Sequence, residues 1–121
     1  MTITIPYPHR KDWAKRYGLN AYWAGKHWAQ RKEDADLWHY LVRSALNRQG
    51  IQKMPYKRPV EITFTWNDRL DIDNHAAMGK MIVDALKGWV IQDDSRKYYA
   101  RCVHQFGRQK DIIVTIEEVR E

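Results

Sequence analysis

The chain has a single cysteine, only two phenylalanines and no long apolar run. One thiol, Cys102, cannot close an internal disulfide. His9, His27, His39, His75 and His104 are scattered one by one, so no zinc site of the usual spacing can be built. The longest apolar stretches are a few residues, such as Met81-Ile82-Val83, too short to span a bilayer. The opening MTITIPYPHRK has no apolar segment of signal-peptide length, and the expectation is a cytoplasmic protein with no membrane partner. Repeats, low-complexity tracts and linkers are absent, and 121 residues leave room for one core, which excludes a two-domain cofactor enzyme. Residues 1–121 are therefore read as a single domain.

Aromatic mass is plentiful. Six Trp and seven Tyr within 44% hydrophobic residues offset the entropy of ordering the chain, so wholesale disorder is excluded. Twenty-one Lys and Arg against fifteen Asp and Glu give a net charge of +6, which favours a polyanionic partner. The charge is unevenly spread. Residues 1–58 carry twelve basic and four acidic side chains, whereas residues 59–121 carry nine basic and eleven acidic. Carboxylates clustered inside a basic protein suit a metal-dependent enzyme acting on phosphates, because a cation bridges oxygens that otherwise repel. Ordinary surface salt-bridging is the bland alternative.

Thr2 to Pro6 reads as a short strand. His9 to Gln30 mixes Trp and Tyr with Lys and Arg without a strict period, an irregular segment with about one helical turn. Asp34 or Asp36 can cap a helix whose stripe is Leu37, Trp38, Leu41, Val42, Ala45 and Leu46, with Gly50 as the stop. Val60, Ile62, Phe64 and Trp66 alternate with polar residues as in a half-buried strand. A second helical pattern from about Asn74 to Lys87 ends at Gly88. Its apolar side carries Met78, Met81, Ile82, Ala85 and Trp89, its polar side Asp73, Lys80, Asp84 and Lys87. Lys97 to Phe106 and Ile112 to Val119 read as a hairpin closed at Gly107, with Cys102 a buried small hydrophobe. The expected fold is α+β, ordered β-α-β-α-β-β, a mixed sheet with two helices packed on it.

The strand-to-helix turn carries the chemistry. If the strand continues through Asp71 and Asp73, both carboxylates point to one side; if it has ended, Asp73 caps the helix. Mg²⁺ takes hard oxygen ligands from a few carboxylates plus substrate phosphate, so an aspartate from Asp93-Asp94 would complete a cage. Lys80 would stabilise charge building on a phosphate or orient the attacking water. Taken alone, such spacing more often makes a helix cap and a turn.

The run Asp71-Ile72-Asp73-Asn74, Lys80, Asp84-Ala85-Leu86, Gly88 and Asp93-Asp94 resembles the signature of the RusA family of Holliday junction resolvases, over about residues 60–118. The resemblance implies a dimeric, Mg²⁺-dependent crossover junction endodeoxyribonuclease, with Mn²⁺ as a possible substitute. Such an enzyme makes paired nicks in four-way junctions during DNA recombination and repair. It also implies Asp71, Asp73 and Asp94 as metal ligands and Lys80 as the essential lysine. The interval from Asp73 to Lys80 is longer than in the family's best-known member, and an insertion close to one helical turn returns the lysine to the same face.

Lys26, Arg31 and Lys32 are candidate DNA contacts, lying among Tyr22, Trp23, His27 and Trp28. Those aromatics either stack on unpaired bases or anchor the core or a dimer interface. His75, a lone imidazole beside the acids, reads as a surface or packing residue. The two-fold symmetry of a four-way junction calls for a homodimer with two equivalent acidic clusters. The alternative from another class is a non-catalytic module that binds branched DNA with the same fold.

Overall fold

Alternation of apolar and polar residues builds the central strand β2 (Val60–Trp66), whose Val60, Ile62, Phe64 and Trp66 are all buried. A computed structural model describes residues 1–120, in which β2 lies inside a four-stranded mixed sheet with strand order β1-β4-β2-β3. The edge strand β1 (Thr2–Ile5) pairs antiparallel with β4 (Ile112–Glu118), and β4 pairs antiparallel with β2. On its other side β2 pairs parallel with β3 (Tyr99–Phe106). The α+β class and the order of the long elements are as expected.

Two details differ. The last two strands do not form a hairpin, because β2 lies between them. The Gly107 segment instead passes over the end of β2. There the Gly107 amide donates to Trp66 O (2.8 Å), Asn67 Nδ2 to Gln109 O (2.7 Å) and Gln109 Nε2 to Thr65 O (2.9 Å). The N-terminal irregular segment holds two short helices, α1 (Trp13–Tyr17) and α2 (Leu19–Trp23), giving four helices rather than two.

The long helix α3 (Trp28–Arg48) starts six residues before Asp34, so neither Asp34 nor Asp36 caps it. His27 does, accepting from the Ala29 amide at Nδ1 (3.1 Å). Its buried stripe is Asp34, Trp38, Val42, Ala45 and Leu46, and Gly50 turns the chain at φ 67°. The second packed helix, α4 (Ala76–Leu86), follows a 3-10 turn (Ile72–His75). Burial of Met78, Ile82, Val83, Ala85 and Leu86 sets it against α3 and the sheet. Arg43 of α3 ties the end of α4 down by donating to Ala85 O and Lys87 O, both at 2.8 Å. These donors satisfy carbonyls that have no partner within their own helix.

One apolar cluster from Ile3 to Ile116 runs between sheet and helices. No helix among the described residues is long and apolar enough to cross a membrane.

Gly79 sets how closely α4 approaches the sheet. A Cβ there would stand 3.1 Å from His104 Cε1 and 3.6 Å from Phe64 Cε2. Gly79→Ala is expected to be close to neutral, because about 1 kcal/mol of helix propensity offsets the crowding. Gly79→Val is expected to destabilise by roughly 1–3 kcal/mol as α4 is pushed off β2 and β3, measured by urea denaturation.

Candidate functional site

The strand β2 ends at Trp66, and the chain re-enters helical geometry at Ile72, so residues 67–71 form the turn beyond the carboxyl end of a parallel strand. Asp71 precedes the 3-10 turn and Asp73 stands in its first turn. Neither sequence alternative for this pair holds, since the strand has ended and α4 is preceded by His75 rather than capped by Asp73. Both carboxylates are exposed, and among the described residues neither has a side-chain hydrogen bond or an ion pair. Two free anions two residues apart repel each other and attract a cation.

A buried clamp holds this turn from beneath, and sequence reasoning missed it. The His75 ring is fully buried, with Nε2 at 2.8 and 2.9 Å from the two Asp68 oxygens and Nδ1 at 3.1 Å from Ile72 O. Asp68 also accepts from Tyr7 Oη (2.8 Å) and from the Leu70 amide (3.0 Å), while Tyr7 Oη accepts from the Asn67 amide (2.8 Å). Burial first, and then the neighbouring Asp68 carboxylate, push the Tyr7 hydroxyl well above its ordinary range. The His75 ring packs on Trp66 (4.5 Å) and meets the edge of Phe106 (5.6 Å). Asp68 and His75 thus bracket the acidic run and fix both its ends; the only sequence signal was a potential ion-pairing residue on either side of it.

The third predicted ligand, unlike the other two, is engaged in an ion pair. Asp94, in the loop before β3, lines one groove with Ala76, Gly79 and Lys80 from the first turns of α4, the helix that follows the acidic turn. Among the described residues no three His, Cys, Asp or Glu side chains are grouped to hold a metal ion. Asp94 pairs with Lys87 (3.0 Å), which also pairs with Asp84 (3.1 Å), and Lys80 approaches Asp84 at 3.6 Å. The Lys87 hydrogen bond holds the Asp94 carboxyl below the ordinary range, and Asp94 in turn raises the Lys87 amine. Asp93 is exposed.

Lys80 projects from α4 between two grooves. One, of about 310 Å³, is lined by Phe64, Gly79, Asp94, Tyr99, Cys102 and His104. The other, of about 450 Å³, is lined by Tyr22, Arg31, Met81 and Asp84. Arg31 lies over the Tyr22 ring at 5.6 Å and beside Lys80 in that second groove. Lys32 is exposed and pairs with Asp36. Lys26 is not available as a DNA contact. Its amine is buried against Asp34 and donates to Arg16 O (2.6 Å). Asp34, enclosed within α3, also binds Arg16 (2.9 Å) and the Tyr22 hydroxyl (3.1 Å), and burying that carboxylate requires these partners.

Cys102 is exposed rather than buried, because α4 packs on β2 and on His104 of β3 and leaves Cys102 in the groove beside it. Its sulfur is 3.5 Å from His104 Nε2, yet the pair is no nucleophile and base. Trp66 Nε1 donates to His104 Nδ1 (3.0 Å), so the ring proton sits on Nε2 and cannot take another from the thiol. Burial keeps His104 neutral by lowering its pKa, with the nearby His75 adding to the effect.

His75→Ala is expected to destabilise the protein by roughly 2–4 kcal/mol, because Asp68 loses its buried partner and a cavity opens under Trp66. Hydrogen exchange at the amides of residues 69–74 should accelerate far more than at β2.

The chain matches no protein-family model and no curated protein.

Proposed function

We propose that the protein is a structure-selective endodeoxyribonuclease that uses Mg²⁺, with Mn²⁺ as a substitute, to nick phosphodiesters at branched DNA such as a four-way junction. The observation that carries this reading is the pair of unpaired, exposed carboxylates, Asp71 and Asp73, clamped on a turn beside a groove lined by Lys80 and Arg31. Asp71 and Asp73 are hard oxygen donors, and Mg²⁺ is commonly held by one or two carboxylates with substrate phosphate supplying further oxygens. When bound, the cation would neutralise charge on the phosphate that the two acids alone would repel.

The chain's own residues do the rest. Arg31 and Lys32 hold flanking phosphates, and Lys80 stabilises negative charge that builds on the phosphate as its P–O bond breaks. Two copies about a two-fold axis would supply the two sites needed for paired nicks. Light scattering of the active protein is expected to give a dimer mass.

A second reading, a branched-DNA-binding module without catalysis, is favoured by one observation: Asp94 is neutralised by Lys87, and among the described residues no three acids are grouped to hold a metal ion. One set of measurements separates the readings. With a synthetic four-way junction and Mg²⁺, Asp71→Asn and Asp73→Asn are expected to lower the nicking rate by more than the roughly 100-fold typical of losing an outer-shell partner, with junction binding retained. Asp94→Asn should cost much less. An equal loss at Asp94 would mean that the three acids meet when DNA is bound. Tight binding by the wild-type protein with no cutting in either metal would establish the module.

A further inference from the structure

Four of the six tryptophans are used in packing: Trp38, Trp66 and Trp89 are buried, and Trp13 lies against the core. The other two are held out in solvent. Trp23, the last residue of α2, is 80% exposed, and Trp28, the first of α3, is 72% exposed. The turn between them is firmly anchored. Gly25 takes a left-handed φ of 82°, Lys26 points inward to Asp34 and Arg16 O, and His27 caps α3 with its ring 5.7 Å from that of Trp28. Tyr22 and Arg16 close on Asp34 from the other side. A buried ionic network therefore fixes a turn whose two largest side chains touch little of the protein.

The surroundings are cationic. Residues 1–32 hold seven Lys and Arg and one acid, Asp12, which is paired with Arg10. Lys11, Lys15 and Arg31 make no ion pair among the described residues, and Lys15 lines a groove of about 400 Å³ with Ala21, Ala24 and Gly25. Exposed indoles between free cations match the two needs of a single strand, a face for each base and a positive charge for each phosphate. A protein-binding hot spot would set its aromatics among further apolar side chains, which this turn lacks.

We propose that Trp23 and Trp28 form a stacking platform for unpaired bases, with Lys15 and Arg31 holding the adjoining phosphates. This rests on the reading of the protein as a binder of branched DNA, and assigns the unpaired nucleotides at the branch to this turn. The test is binding without metal, using a labelled oligothymidylate of roughly 16 nucleotides, the upper site size of a single stacking module, and a duplex of the same length. Wild-type protein should bind the single strand with quenching of tryptophan fluorescence. Trp23→Ala/Trp28→Ala should weaken that binding by about 10-fold or more and remove the quenching, with duplex binding changed less than about twofold. Trp23→Phe/Trp28→Phe should restore most of the affinity, since a π-face remains, and an unchanged melting curve shows that each variant folds.

Equal affinity of the wild-type and double-alanine proteins for the single strand would overturn the platform while leaving the DNA reading intact. So would dissociation of the double-alanine variant from dimer to monomer, because the indoles would then be an interface between copies. Failure of the wild-type protein to bind strand, duplex or junction would remove the DNA reading itself.

Discussion

The central strand β2 is hydrogen-bonded on both edges, antiparallel to β4 and parallel to β3, and the parallel pairing governs the rest of the structure. A parallel partner cannot be reached by a tight turn, so the chain must leave the carboxyl end of β2, return along the sheet and begin β3 at its other end. The helix α4 makes that return. The loop that then leads into β3 lies against this helix, where Asp94 pairs with Lys87 and lines a groove with Ala76, Gly79 and Lys80.

The same crossover explains the uneven cover of the sheet. A single helix of eleven residues lies over β2 and reaches His104 of β3, close enough that Gly79 leaves little room for a side chain, but it does not cover Cys102. The result is an open groove over the outer strand, with Cys102 and Phe106 exposed beside a buried Phe64 and Trp66. Trp66 links the two sides of this arrangement. It donates to His104 on β3, and its face supports His75 under the acidic turn.

Two buried polar assemblies hold functional surface rather than add to the apolar core. Asp68, His75 and Tyr7 fix the turn bearing Asp71 and Asp73, while Asp34, Arg16, Lys26 and Tyr22 fix the turn bearing Trp23 and Trp28. In each case a buried carboxylate is satisfied by inward-facing partners, which the cost of burying an unpaired charge demands. What remains outward is what the interior does not need: two carboxylates at one turn and two indoles at the other.

The sequence by itself determined the elements whose signal is local. Alternation specified β2, the stripe from Trp38 to Leu46 specified the body of α3, Gly50 and Gly88 marked turns, and the α+β class followed. It also singled out Asp71 and Asp73, because paired acids before a helical pattern are visible in a linear reading. Only the tertiary structure decided which strand lies beside which, that Asp94 pairs with Lys87, that Lys26 turns inward, and that Cys102 is open. The physical reason is that periodicity reports which face of an element is apolar. The partner on each edge of a strand, and the carboxylate that neutralises a given lysine, are chosen among groups far apart in the chain by competition for burial and hydrogen bonds.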